Sequence, residues 1–345
     1  MIDLNYAKKL SVFLLLAMAL CGCSRVEGPH LLEAHGQTMG TDYTVKVVGN
    51  FPGGESALRE QVDALLKHYN DEISTYDPNS ALSTFNQQQS TAPYPISQDM
   101  ADILIEALRI GQKTDSLLDV TVGPLVNLWG FGPDKRPVKI PTAEQIAQAR
   151  LRIGINHLHV EVSSDHATVR KDLPDIYVDL STFGEGFGAD KIAEFLEAHG
   201  MQNYLVDIAG ASRSRGLNSN GEPWRLGIQK PTDEYMEAQA VITPNGRAVS
   251  TSGSYRNYYE LNGRRYSHII DPRTGMPITH RLVSATVIAE TALEADGWDT
   301  ALMVMGTEKA LQFADKNHLA VYLVTKTDKG LDVQYSTAFA PYLKK

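Results

Sequence analysis

The chain of 345 residues is 43% hydrophobic and 21% charged, which excludes a disordered or fibrous protein and, at roughly 150 residues per domain, allows two domains or one large one. Lys and Arg number 32 against 41 Asp and Glu, a net charge of −9 with no basic run, so no nucleic-acid partner gripped through its phosphates is expected. Both cysteines, Cys21 and Cys23, fall within the first 23 residues, which leaves the rest without a disulfide, a thiolate nucleophile or Cys-ligated zinc and confines any chemistry to oxygen and imidazole groups.

Lys8 and Lys9 precede an apolar run of eleven residues, Leu10 to Leu20. It is too short for the ~20 residues that span a bilayer and reads as the core of a secretory signal. The run ends in Leu20-Cys21-Gly22-Cys23, which resembles the lipobox of bacterial lipoproteins, where the signal is cut before a cysteine that then carries acyl chains. On this reading residues 1–22 are a lipoprotein signal peptide, Cys23 is the lipidated first residue of the mature chain, 23–32 is a linker and 33–345 is the folded domain. A plain secretory signal with incidental cysteines is the alternative. The expected location is the bacterial cell envelope, lipid-anchored and facing the periplasm, at the inner membrane, with Ser24 after the anchor leaving the outer membrane open.

Beyond the linker, Thr44 to Val48 reads as a strand and Pro52 to Gly54 as a turn. Leu58, Val62, Leu65, Leu66 and Tyr69 recur at helical spacing, and Ile103, Leu104, Ala107 and Leu108 make a second such face. Thr142 with Gln145 marks a helix start whose segment runs to about Ile153. His157 to Val162, Thr168 to Arg170, Ile176 to Leu180 and Tyr204 to Ile208 read as strands, with a helix from Asp190 to His199 stopped by Gly200. Asn262-Gly263 predicts a hairpin between Tyr258–Leu261 and Arg264–Ile270. Val283 to Ile288, a helix from Leu293 to Met305 and a strand from Ala320 to Thr325 follow. Hairpins mixed with helical crossovers predict an α+β fold with mixed sheets.

Three constellations carry candidate chemistry. Gly184-Glu185-Gly186-Phe187-Gly188-Ala189, between an expected strand and helix, fits G-x-G-x-x-A, with Asp207 placed like the ribose-binding acid of a dinucleotide fold; glycines there serve packing equally well. Asp296 and Thr300 stand four apart on the expected helix behind a Thr291/Glu294 capping box. That puts a carboxylate and a hydroxyl on one face, hard oxygens suited to Mg²⁺, although acids early in a helix also simply complement its dipole. The third is the hydroxyl-rich Ser250 to Ser254, with His268 to Gly275 across the hairpin. His268 is a candidate general base, and Asp271 in Asp-Pro-x-x-Gly is either a turn residue or a competing base. His157 and His159 share a strand face and, with no acidic partner evident in the sequence, read as solvated surface.

In chain order, Thr38-Met39-Gly40-Thr41, Ser74 to Pro78, Asp119 to Pro124, Asp179-Leu180-Ser181, Ser250 to Tyr255, Ser267 to Gly275 and Glu294 to Thr300 together resemble the ApbE family of FAD:protein FMN transferases. The resemblance spans about Glu33 to Thr325. It implies an ApbE-like α+β fold with the active site in a cleft between subdomains. It implies that Met39 and Tyr76 contact the flavin, that Leu117, Leu118 and Asp119 hold the adenosine end, and that Asp179, Glu185 and Ile270 line the FAD site. It assigns Mg²⁺ to Asp296, Thr300 and an oxygen of Thr182, with Asp299 as a further donor, and makes His268 the base. Two positions depart from the family pattern: Glu185 where lysine is frequent, and Ala209 where a Gly is usual.

The reaction implied is attack of an acceptor threonine hydroxyl on the flavin-side phosphorus of FAD, with AMP leaving. The acceptors implied are subunits of membrane redox complexes of the sodium-pumping quinone reductase or Rnf/Rsx type. Two other readings stay open: a Rossmann-like FAD or NAD oxidoreductase, and a lipoprotein that holds FAD without catalysis.

Overall fold

Alternating burial along the strands and a three-to-four spacing along the helices sort the chain into one broad sheet and the helices that cover it. The computed structural model describes residues 30–133, 139–232 and 237–343. The expected signal peptide and Cys23 lie outside the described residues. Among the described residues no helix is long and apolar enough to cross a membrane.

From Leu31 onward the chain is one unit. It opens with β1 (Leu31–Thr38) and β2 (Thr41–Val48), joined by a two-residue turn in which Met39 and Gly40 both take positive φ, 52° and 75°. This is the turn whose twist matches paired strands. Next come α1 (Gly54–Ile73), which buries Leu58, Val62, Leu66, Tyr69 and Ile73, α2 (Ala81–Gln87), β3 (Tyr94–Ile96) and α3 (Gln98–Lys113). After α4 (Gly123–Leu128) comes α5 (Ala143–Arg150), whose capping box has both halves formed: Gln145 N–H donates to the Thr142 hydroxyl and Thr142 N–H to the Gln145 amide oxygen. A small sheet holds β4 (Leu158–Val162) and β5 (Ala167–Lys171) with β3.

The second half runs α6 (Gly184–Ala198), β6 (Tyr204–Ile208), β7 (Ala211–Arg215), β8 (Leu226–Gln229), β9 (Ala238–Ile242) and β10 (Ala248–Gly253). Then follow β11 (Tyr258–Leu261), β12 (Arg264–Ser267), β13 (Ile270–Asp271), β14 (Met276–Pro277), β15 (Leu282–Ala289), α7 (Ala292–Met305), α8 (Thr307–Lys316), β16 (Ala320–Thr327) and β17 (Gly330–Tyr335). The large sheet has the order β1-β2-β6-β7-β10-β15-β16-β17, and its neighbours pair antiparallel. Apolar residues of α1 and α6 pack with β1, β2 and β6, and those of α3 and α7 with β15 and β16. The β8–β9 hairpin and Phe339 cover part of the other face.

The structure corrects five expectations. Ile176 to Leu180 pairs with no strand; the Asn86 and Lys171 side chains and the Val120 carbonyl meet its polar groups. The glycine-rich stretch from Gly184 is the first turn of α6 rather than a loop before it, and α5 stops at Arg150. The antiparallel large sheet contains no βαβ unit, so the Rossmann-like reading of Gly184 to Asp207 does not hold. Finally, His157 and His159 do have an acidic partner: Asp172 lies 2.8 Å from His159 Nε2 and 3.7 Å from His157 Nδ1.

The glycines of α6 are there for packing. A Cβ on residue 186 would meet the Ala292 carbonyl oxygen at 2.4 Å, whereas one on 188 would meet the ends of Ile208 and Leu66 at 3.0 and 3.3 Å. A carbonyl inside α7 cannot yield without moving that helix, while side-chain ends can. Gly186→Ala is therefore expected to lose stability, because an overpacking cost of ~1–3 kcal/mol opposes the ~1 kcal/mol that Ala gains over Gly in a helix. Gly188→Ala should be neutral or slightly stabilising. Urea denaturation of the two variants beside the parent checks the order.

Candidate active site

One cleft of about 1380 Å³ opens on the sheet, larger than the ~300–1,000 Å³ of drug-sized pockets. Every FAD, Mg²⁺ and base residue that the resemblance implied within the folded domain lines it: Met39, Tyr76, Leu117, Leu118, Asp119, Asp179, Thr182, Glu185, His268, Ile270, Asp296, Asp299 and Thr300.

Its floor is acidic. Asp296 and Asp299 project from the second turn of α7 and are buried, at 6% and 1% exposure. Asp296 Oδ2 accepts the Gly186 N–H at 2.8 Å, and Oδ1 accepts the Ser250 hydroxyl at 3.1 Å. Asp299 Oδ1 accepts the Thr300 hydroxyl at 3.2 Å, while its buried Oδ2 has no hydrogen-bond partner. Burial, and then repulsion from neighbouring carboxylates, holds both carboxyls well above the usual carboxylate range. Glu185 is pushed up to about 7, by burial first and by Asp207 second. Among the described residues lining the cleft Arg256 is the single Lys or Arg, and it bonds to Gln229.

On the opposite wall, His268 follows β12. Its Nδ1 lies 2.9 Å from the Asn257 carbonyl oxygen, which also accepts the His268 backbone N–H. A carbonyl can only accept, so Nδ1 carries the proton and the lone pair of the neutral ring sits on Nε2. Burial pushes this imidazole below its ordinary pKa, against the opposing pull of the Asn257 bond. The hairpin beneath is held by a chain of stacked rings, Trp129 on Tyr266, Tyr266 on Tyr259 and Tyr259 on Phe131. Trp129 Nε1 also donates to the Gly275 carbonyl at 2.8 Å. Asp271, the competing base, is outside the cleft lining: its carboxylate takes the Arg273 N–H at 2.9 Å and the Arg273 guanidinium at 3.2 Å. It is a turn residue.

The remaining wall is built from loops. Tyr76 is 62% exposed and donates its hydroxyl to the Phe131 carbonyl. The Asp119 carboxylate is spent inside the chain, on Thr121 and on the Ile155 N–H, so it shapes the 117–119 loop instead of offering a free oxygen to the cleft. Asp179 accepts both the Ser181 N–H and its hydroxyl. The extended segment that carries Asp179 is held by three anchors: the Asn86 side chain both donates to and accepts from the Val178 backbone, each at 2.8 Å, Lys171 donates to the Ile176 carbonyl, and the Asp179 N–H donates to Val120. Asn86 thus stands in for a neighbouring strand. Sequence reading missed Asn86 and Asn257 as parts of the site; each acts by bonding a residue distant in the chain, Asn86 to Val178 and the Asn257 carbonyl to His268, which no local pattern marks.

The ApbE family model matches residues 39–323. The chain belongs to the ApbE family. It is 50% identical over 340 residues to the FAD:protein FMN transferase of Salmonella typhimurium, covering 96% of this chain and 97% of that one. The corresponding protein of Escherichia coli K12 is 50% identical over 337 residues, covering 95% and 96%. Among solved structures, the flavin transferase ApbE of Vibrio cholerae superposes with a TM-score of 0.83 at 43% identity, covering 91% of this chain and all of that one. The apo flavinyl transferase ApbE of Pseudomonas stutzeri gives 0.82 at 35% identity, covering 92% and 98%.

Against the ApbE pattern, Ala209 sits in the β6–β7 turn with a φ of 52°, a left-handed conformation that a glycine would adopt without strain. Glu185 adds a carboxylate to the floor where the family often has a lysine. Loosening the loop-built wall tests the role of Asn86. In Asn86→Ala the Val178 N–H and C=O lose their partners, an expected cost of ~1–3 kcal/mol, and amide exchange should quicken across residues 178–182 while the β15–β16 core stays protected. Hydrogen-exchange mass spectrometry reads both.

Proposed function

We propose that this chain transfers the FMN half of FAD to a threonine hydroxyl of an acceptor protein and releases AMP. The transferase activity itself is carried by relatives 50% identical over nearly the whole chain that bear that name. The observation that supports the finer reading is the pairing, in one cleft, of a histidine with Nε2 left as acceptor and a buried carboxylate floor short of cations.

The donor set fits Mg²⁺: two buried carboxyl groups, the Thr300 hydroxyl and an oxygen of Thr182 are hard ligands, and Asp299 Oδ2 is a buried oxygen with no hydrogen-bond partner. Among the described residues no cluster of three His, Cys, Asp or Glu forms a metal site, so the set depends on threonine oxygens and on the substrate's own phosphates. Bound there, Mg²⁺ would neutralise charge on the pyrophosphate and on the departing AMP.

The chain's own residues do the rest. His268 takes the proton of the threonine hydroxyl at Nε2 as the oxygen attacks the flavin-side phosphorus, and the Asn257 carbonyl keeps the ring in the tautomer that can do so and favours the imidazolium that results. Tyr76 and Met39 offer an aromatic face and a thioether to the flavin, the 117–119 loop receives the adenosine end, and Asp179, Glu185 and Ile270 bound the site between them. A protein that only holds FAD needs no base with an oriented ring, which favours the transferase over the non-catalytic reading.

The acceptor is proposed to be an extracytoplasmic segment of a membrane redox complex of the sodium-pumping quinone reductase or Rnf/Rsx type. The transferase would be tethered beside it in the periplasm through acylated Cys23. Intact mass of the membrane-extracted protein should show the acyl chains, and Cys23→Ser should remove them; acylation that survives this substitution would sink the lipid-anchor reading.

His268→Asn keeps a polar side chain of similar reach but cannot accept the proton. Transfer should fall by ~10²–10⁴ with FAD affinity nearly unchanged. Because the neutral ring is the active form and its pKa is lowered, the parent rate should fall only below pH ~6.5, and the substitution should flatten that acid limb. A fully active His268→Asn enzyme with the limb intact would remove His268 from the chemistry.

A further inference from the structure

The N-terminus of α7 is capped partly from another helix. Three of its leading N–H groups have no carbonyl one turn back. Thr291, the residue before the helix, accepts one of them, that of Glu294, at 3.1 Å. The other two go to Asp190 of α6: Oδ1 accepts the Ala292 N–H at 3.0 Å and Oδ2 the Leu293 N–H at 2.8 Å. Arg213 of β7 closes the arrangement, donating to Asp190 Oδ1 at 3.0 Å and to the Glu290 carbonyl at 2.6 Å.

We infer that Asp190, braced by Arg213, is a positioning residue that sets where α7 holds Asp296 and Asp299 for a divalent cation. The inference rests on the Mg²⁺ reading above. Asp296 is one turn beyond Ala292, and its Oδ2 is bonded to the backbone of α6 at Gly186. Residues 186 and 190 of α6 are themselves one turn apart, so two rungs join the helices: Gly186 to Asp296, and Asp190 to Ala292 and Leu293. Gly186 admits the close approach, and Asp190 fixes how far α7 slides and rolls along it. The Thr291 cap lies within α7's own chain and fixes nothing between the helices. That difference separates positioning from mere stability.

The test is Mn²⁺ binding to the purified protein without FAD, read by calorimetry and by the loss of the free Mn²⁺ resonance. Asp190→Asn retains one acceptor but turns an N–H toward the second α7 donor; its Mn²⁺ affinity should fall ~10–100-fold, the range typical of groups that orient metal ligands. Thr291→Ala should melt at lower temperature yet bind Mn²⁺ like the parent. Parent-like affinity in folded Asp190→Asn, or an equal loss in Thr291→Ala, would overturn the inference. If Asp190→Asn does not fold, Arg213→Gln, which leaves both acceptor oxygens and removes the brace, should still weaken binding ~10-fold, and parent-like affinity there would overturn it too. A parent protein that binds no Mn²⁺ would instead overturn the Mg²⁺ reading itself.

Discussion

The structure depends on the close crossing of α6 and α7. A backbone N–H near the start of α6 meets the Asp296 carboxylate at 2.8 Å, and a glycine at 186 is the only residue that leaves room for the Ala292 carbonyl opposite. The N-terminus of a helix is a favourable place for one negative charge, but this crossing gathers more than one. Asp296, Asp299 and Glu185 are each held above their ordinary range, by burial first and then by a neighbouring carboxylate: Glu185 for Asp296, Asp296 for Asp299 and Asp207 for Glu185. Burying uncompensated charge costs several kcal/mol per ion, which is the physical ground for the cation proposed at this floor.

The second wall is built on different physics. Stacked aromatic rings under the β11–β12 hairpin give His268 a rigid base, and one backbone carbonyl decides which ring nitrogen is left to accept a proton. The third wall is extended chain anchored by Asn86, Lys171 and Val120, which carries Asp179 and leads into the first turn of α6. A dinucleotide therefore meets one rigid helix crossing, one rigid hairpin and one loop wall, within a single folded unit.

Much of this was legible in the sequence because some signals are local. The Thr142 and Gln145 capping box, the Asn262-Gly263 turn and the spacing from Leu58 to Tyr69 each act within a few residues, and each appears where it was read. The site residues came from motif order, and all of them within the domain line one cleft. What stayed hidden acts at a distance. The edge strand β1 buries little, so Leu31 to Thr38 shows no alternation, and the hydroxyl-rich stretch that forms β10 shows no strand pattern because Ser250 and Thr251 find their partners on α7 and β15. Ile176 to Leu180 has a strand's composition, but its partner is the side chain of Asn86. The Gly-x-Gly pattern misled because glycines that admit a second helix look the same as glycines that admit a phosphate.

The most direct measurement combines the purified chain, FAD and a threonine-bearing acceptor domain, with and without Mg²⁺, and counts both products. The account predicts AMP released in equal amount to flavin covalently bound to the acceptor, with both absent when Mg²⁺ is withheld and both absent when the acceptor threonine is replaced by alanine. Covalent flavin formed without AMP, or at full rate after the metal has been chelated, would contradict it.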